Sequence, residues 1–113
     1  MKRLEAVIRP LRLEAVKSAL ALSGISGLTV SDVRGSGAGG GQPGGMFGGE
    51  AYVLRLPPKI KLEMTLRDED VDDAVDVILE YARTGEEGDG WIFVLPGHDA
   101  LRIRTGETGD IVL

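Results

Sequence analysis

The sequence predicts an α+β sandwich built in the order β-α-β-β-α-β, with a short extra strand towards the C-terminal end. Three observations carry this. The segments Leu4–Ile8 and Ile60–Leu66 alternate apolar and polar residues, the period of a half-buried strand. Two other segments, spanning Leu13–Leu20 and Val71–Ala82, repeat apolar residues at helical spacing. A glycine run, in which nine of the fifteen residues from Gly35 to Gly49 are glycine, separates the second strand from the third.

In chain order, "RLEAVIRP" points Leu4, Ala6 and Ile8 one way and Arg3, Glu5, Val7 and Arg9 the other, and Pro10 ends the strand. "LRLEAVKSALALSG" places Leu13, Val16 and Leu20 on one helix face, with Gly24 as its stop. "LTVSDVRG" is a strand rich in β-branched residues. "YVLRLPPKIKLEMTL" resumes as a long strand that Pro57-Pro58 breaks or bends near its start. Beyond the prolines Ile60, Leu62, Met64 and Leu66 alternate with Lys59, Lys61, Glu63 and Thr65. "DEDVDDAVDVILEYARTG" carries a stripe of Val71, Ala74, Val75, Ile78, Leu79 and Ala82, with acidic residues in its first turns, where the helix dipole favours them. Gly85 stops that helix, "WIFVL" is the fourth strand and "LRIRT" the short fifth. Two helices on one face of an antiparallel sheet in this order make the ferredoxin-like fold, which alone says little about function.

Composition narrows the functional classes. A chain of 113 residues suits a single domain, 1–113. A formal net charge of -5 argues against a general nucleic-acid binder. No cysteine excludes disulfides and thiolate metal sites, and one histidine, His98, read as an exposed loop residue, cannot hold zinc alone. No apolar run approaches the roughly 20 residues that cross a bilayer, and the N-terminus lacks the long apolar stretch of a signal peptide, so the expectation is a soluble, cytoplasmic protein.

Candidate chemistry lies in three places. A connection of about fifteen residues between paired strands is usually functional or disordered. The loop "TGEEGDG", 84–90, sets three glycines around Asp89, which lets backbone N–H groups approach an anion, although a plain helix-to-strand turn reads the same way. The sheet face away from the helices carries Lys59, Lys61, Glu63, Arg102 and Arg104. Arg102 and Arg104, two apart on a strand, share a side. That face is either solvated or the seam of an oligomer with bidentate anion sites. No G-x-x-x-x-G-K-[ST] occurs, and no amphipathic helix opens after "GSGAGG", so neither a Walker-type loop nor a dinucleotide fingerprint is present.

Together, "IRPLRLEAVKSAL", "GISGLTVSDVRGSG", "PPKIKLEM", "ARTGEEGDGWIFVLP" and "RIRTGE" resemble the PII family of signal-transduction proteins nearly end to end. The pairing of "TGxxGDGxIFV" with "RIRTGE" is the specific part. The resemblance implies a homotrimer with adenine nucleotide (ATP, ADP or AMP) in the clefts between subunits. It implies a T-loop at about 36–51, a B-loop at about 84–90 and a C-loop at about 102–107. By the same resemblance, Gly35, Ser36 and Gly37 form the T-loop base near the phosphates, and Gly88, Asp89 and Gly90 the backbone cradle. Arg102 and Arg104 reach the phosphates from the adjacent subunit. Thr29 and Glu63 match positions around adenine and ribose, Val7, Leu28 and Met64 are apolar walls, and Lys59 is the basic residue at the T-loop exit.

Three positions depart from the family's pattern. Members commonly follow the loop base with Arg and a Gln that helps hold magnesium and 2-oxoglutarate. Here Ser36, Gly37, Ala38 and Gly39 stand there, which puts 2-oxoglutarate sensing and a magnesium site in doubt. Phe47 stands at the loop tip in place of a modifiable Tyr, and Trp91 replaces the Lys after "GDG", either packed on the sheet or offering a ring for stacking.

The leading expectation is a PII-like regulator whose T-loop, with Met46 and Phe47 as an apolar tip, docks on a partner such as a membrane transporter or a metabolic enzyme in nitrogen or carbon metabolism. The alternative is a PII-like sensor of AMP, ADP or cAMP with bicarbonate or a metal-transport role. A small nucleotide-hydrolysing enzyme ranks lower, because Asp89, Glu63 and Lys59 supply no nucleophile-base pair. A binding-dead structural protein, with the glycine run as a tether, is the third reading.

Overall fold

The computed structural model describes residues 1–37, 41–43, 52–54 and 56–113, and the side chains of all but 41–43 and 52–54. Strand β1, Lys2–Ile8, buries Leu4, Ala6 and Ile8 completely or nearly so, as its alternation dictates. Pro10–Arg12 form one 3-10 turn that feeds α1, Leu13–Leu22, which buries Val16, Ala19 and Leu20. The helix ends where Gly24 takes a φ of +84°, and its last carbonyls are used by Ser23 Oγ, which donates to the Ala19 oxygen at 3.0 Å, and by Ile25 N, which donates to the Leu20 oxygen at 2.9 Å.

Strand β2, Thr29–Arg34, follows. Gly41–Pro43 and Tyr52–Leu54 are β3 and β4, a small antiparallel pair within the glycine-rich connection. The main chain then restarts as β5, Pro58–Leu66, so the break expected at Pro57-Pro58 separates two strands in different sheets. Helix α2, Val71–Ala82, and β6, Trp91–Pro96, complete the main layer.

The four long strands form one sheet in the order β2-β5-β1-β6, every pairing antiparallel. With both β-α-β crossovers on one face, this is the ferredoxin-like arrangement. Register places Leu4 opposite Met64 on one side and Val94 on the other, and Ala6 opposite Leu62 and Ile92. The helix-facing residues Leu4, Ala6, Ile8, Ile60, Leu62, Met64 and Leu66 meet Val16 and Leu20 of α1 and Ala74, Ile78 and Ala82 of α2 in one core. Each fully buried Leu or Ile there contributes roughly 1.5–3 kcal/mol relative to exposure.

Two expectations need correction. The α2 stripe is narrower than its spacing suggests: Val71, Val75 and Val77 are partly buried, but Leu79 is 40% exposed. It borders an open cavity of about 430 Å³ between α2 and β6, beside Ile92 and Val94. The short C-terminal strand does not form. Leu101 and Thr108 make an isolated bridge, and the chain between them curls into a turn. Arg102 N donates to the Glu107 oxygen at 2.9 Å and Gly106 N to the Arg102 oxygen at 2.7 Å, with Gly106 at a φ of +71°. The backbone bonds that a strand would send to a neighbour are spent locally, so Arg102 and Arg104 do not share the side of a strand. No helix among the described residues is long and apolar enough to cross a membrane.

Candidate functional site

The loop between α2 and β6 owes its shape to glycine and one aspartate. Gly85, Gly88 and Gly90 have φ values of +90°, +95° and +106°, a region costly for any residue with a Cβ. Asp89 is the hub. Its Oδ2 accepts from Thr84 N and Gly85 N, each at 2.9 Å, and its Oδ1 accepts from Thr84 Oγ1 at 2.5 Å and Arg9 Nε at 3.0 Å. The Thr84 hydroxyl, with the two amides and Arg9, holds the Asp89 carboxyl far below the ordinary carboxylate range. A carboxylate so committed is a brace, not a proton acceptor for chemistry.

Two cations grip the same loop from below. Arg9 Nη2 donates to the Glu87 oxygen at 2.5 Å, and Lys59 Nζ, on β5, donates to the Gly88 oxygen at 2.6 Å. Lys59 is the one buried charged residue among the described side chains. Its neighbour two positions on is neutralised: Lys61 Nζ lies 3.2 Å from Glu63 and 3.7 Å from Glu5, and Arg3 joins both carboxylates. The charged residues of the sheet face therefore cancel one another, whereas Lys59, bonded to a neutral carbonyl, keeps its charge available.

Across from this loop stands the base of the glycine-rich connection. Gly35 N donates to the Pro57 oxygen at 3.2 Å and Arg34 Nη1 to the Leu56 oxygen at 3.3 Å, tying the two ends of the connection together. Gly37 lies against Trp91: a Cβ there would sit 3.0 Å from Cζ2 of the indole. Trp91 in turn stacks on Phe93, with ring centroids 6.5 Å apart and an interplanar angle of 21°. So Trp91 packs on the open sheet face and also walls the cleft.

The cleft is a cavity of about 540 Å³ between these parts. Of the residues singled out in the sequence, Val7, Gly35, Ser36, Gly37, Lys59, Gly88, Asp89 and Gly90 line it, together with the acidic Glu86. Thr29, Glu63 and Met64 do not. They border a second cavity of about 410 Å³, with Arg3, Gly27 and Arg67. Met64 is otherwise a core residue at 3% exposure, and Leu28 packs on the core. Arg102 borders neither cavity and pairs with Glu107 at 2.9 Å, and Arg104 is exposed in the same turn. Met46 and Phe47, like Gly39, lie outside the described residues. His98 is exposed. Among the described residues no group of three or more His, Asp or Glu gathers as a metal site.

Sequence reasoning missed Arg9. It reads as an outward residue at a strand end, and its partners lie 78 and 80 positions away. The available signal was its place beside Pro10, at the end of β1 and next to the paired start of β6.

Comparison with known proteins gives matches over nearly the whole chain. Residues 1–107 match the family model described as "Nitrogen regulatory protein P-II". A nitrogen regulatory protein P-II from Cereibacter sphaeroides is 46% identical over 110 residues, 97% of each chain. One from Microchaete diplosiphon is 50% identical over 107 residues, 95% of each. The crystal structure of Arabidopsis thaliana PII bound to citrate superposes with a TM-score of 0.76 at 42% identity, covering 97% of this chain and 86% of that one.

Proposed function

The chain belongs to the nitrogen regulatory protein P-II family of signal-transduction regulators, not enzymes, and we propose that it acts as a homotrimer that binds adenine nucleotide between subunits and controls a partner protein through its T-loop. The observation that carries this is the cavity of about 540 Å³. It falls within the roughly 300–1,000 Å³ of small-molecule sites. One wall is a glycine-shaped backbone loop, the floor holds the Lys59 ammonium, and the other wall is the T-loop base. Backbone amides with one buried cation form an anion site that needs no catalytic base.

The division of the site residues supports an inter-subunit location. Gly35, Ser36, Gly37, Lys59, Gly88, Asp89 and Gly90 surround one cavity, whereas Thr29, Glu63 and Met64 border another. One nucleotide meets both sets, and Arg102 and Arg104, when neighbouring copies each contribute a part. Trp91, Phe93 and Leu95, in a row on the open sheet face, are 52%, 49% and 39% exposed and give the copies an apolar surface to share. Val7 and Leu28 are the apolar walls of the base. Without a carboxylate cluster among the described residues, a magnesium ion would arrive on the nucleotide's phosphates.

Through Met46 and Phe47 the T-loop docks on a transporter or a metabolic enzyme of nitrogen or carbon metabolism. A second reading, preference for ADP, AMP or cAMP with bicarbonate or a role in metal transport, draws on Trp91, an indole in the cavity wall at the position where the family resemblance implies a phosphate-contacting lysine. Calorimetry with ATP, ADP, AMP and cAMP, each with and without 2-oxoglutarate or bicarbonate, tests both. Binding of none of the four sinks the proposal, and the ranking chooses between the readings.

A further inference from the structure

Arg9 and Lys59 both spend hydrogen bonds on consecutive carbonyls of the glycine loop, Glu87 and Gly88. In a trans peptide the N–H points opposite to its C=O. Pinning the Glu87 carbonyl therefore turns the Gly88 amide away from Arg9, and pinning the Gly88 carbonyl turns the Asp89 amide away from Lys59. Among the described residues neither amide has a hydrogen-bond partner. The amides of Thr84, Gly85 and Glu86, in contrast, are all consumed by Asp89 and Thr84 oxygens.

We propose that Arg9 is the positioning residue of the anion site: by holding the Glu87 carbonyl and the Asp89 carboxylate at once, it keeps the Gly88 and Asp89 amides aimed at a phosphate chain it does not itself touch. Three features support this. Arg9 does not line the main cavity, although Gly88 and Asp89 do. Its fork spans two acceptors, at 3.0 and 2.5 Å, on different residues of the loop, a geometry that an ammonium cannot match with one rigid plane. And the space beside Gly88 is filled by the two cations: a Cβ there would meet Arg9 Nη2 at 3.3 Å and Lys59 Nζ at 3.4 Å. The loop is thus shaped to its clamp as well as to a ligand.

This inference rests on the nucleotide reading above, and two measurements separate their failures. In the first, the full-length protein and its Arg9→Lys and Arg9→Met variants are titrated with adenosine, AMP, ADP and ATP. A residue that aims amides at phosphates changes the gain per phosphate. We expect the ATP-to-AMP affinity ratio to fall about tenfold in Arg9→Met, with adenosine little changed and Arg9→Lys in between. An unchanged ratio overturns the inference, as does an equal loss for all four ligands, which marks a general loss of structure.

In the second, ¹⁵N shifts of the Gly88 and Asp89 amides are followed as pyrophosphate is added, with core amides of β1 as the control for folding. We expect both resonances to move in the parent protein and to stay in place in Arg9→Met while the core is unchanged. If no adenine nucleotide binds but pyrophosphate moves these amides only when Arg9 is present, the nucleotide reading fails and the clamp stands. If pyrophosphate moves neither amide in the parent protein, or moves both equally in Arg9→Met, the clamp is wrong.

Discussion

Gly90 passes so close to Val7 that a Cβ on Gly90 would lie 1.7 Å from the Val7 carbonyl oxygen. That contact is where β6 begins and where Trp91 pairs with Val7. The glycine therefore serves the sheet and the cleft together: it lets the strand dock flush on β1 while the loop turns away at a φ of +106°. We expect Gly90→Ala to lose stability on two counts. The positive φ costs about 1–3 kcal/mol, and forcing a methyl into backbone adds an overpacking cost of about 1–3 kcal/mol. Gly24→Ala is the matched control. It has a φ of +84° with nothing within 4 Å of its Cβ position, so it bears only the first cost. Urea midpoints of the two variants give the comparison, and equal losses would refute the contact.

Asp89 makes the loop sensitive to acid. Because the Thr84 hydroxyl, the Thr84 and Gly85 amides and Arg9 lower its pKa from 3.8, the native state holds the charged form more tightly than the unfolded chain does. The contribution is complete above the unfolded value and disappears as pH falls through and below it. Stability measured from about pH 5 down to about pH 2 is expected to fall more steeply through loss of this brace, and Asp89→Asn is expected to remove that share of the slope and to be less stable at neutral pH. An Asn variant with the parent's acid profile would show that the brace contributes nothing.

Much of this was legible in the sequence, and the failures have physical causes. Leu4, Ala6, Ile8, Ile60, Leu62, Met64 and Leu66 follow a strict period of two, and the register of β1 on β5 sets them side by side. Gly88, Asp89 and Gly90 could be singled out only through the motif "TGxxGDGxIFV", because three glycines by themselves fit a plain helix-to-strand turn equally well. Arg9 could not, since its role is fixed by partners 78 and 80 positions away. Leu79 fits the helical spacing but borders an open cavity beside Ile92 and Val94, and a period cannot tell how closely two layers meet. Leu101–Thr105 has the alternation of a strand but closes on its own turn through Gly106. Gly41–Pro43 pairs with Tyr52–Leu54 although nothing in "GQP" favours a strand, because pairing needs only backbone.

Gly35 and Gly37 look equivalent in sequence and are not. Nothing lies within 4 Å of a Cβ placed on Gly35, but one on Gly37 meets Trp91 Cζ2 at 3.0 Å. Gly35→Ala is expected to be neutral or to stabilise by up to about 1 kcal/mol, through the unfolded chain. Gly37→Ala is expected to push the indole or lift the loop base. Trp91 is the only tryptophan, so its emission maximum reports the change directly. A shift in Gly37→Ala with none in Gly35→Ala is the expected result, and no shift in either would mean the loop base does not rest on Trp91.

Ile103 is fully exposed, and Leu101 and Ile111, on the same C-terminal segment, are each 65% exposed. On the open sheet face Trp91, Phe93 and Leu95 add a further apolar row. Leaving so many large apolar groups in water is costly, at roughly 25 cal/mol per Å². A monomer of 12.0 kDa has no spare core to fold them into, because its helix layer is already filled by Val16, Leu20, Ala74 and Ile78. Other copies of the chain can cover them, and a charged residue placed among them would then be buried without a partner. We therefore expect self-association, which for the trimer proposed above means a particle of three chains in sedimentation at micromolar concentration, and expect Ile103→Asp to reduce it to monomers that keep their secondary structure. Arg102–Glu107, an ion pair with side chains 39% and 41% exposed in the isolated chain, is the contrast. Glu107→Gln is expected to change monomer stability by no more than about 1 kcal/mol, as for other exposed pairs. A monomeric parent protein would overturn the proposed inter-subunit nucleotide site, and an Ile103→Asp variant that still sediments as three chains would place Ile103 outside the contact between copies.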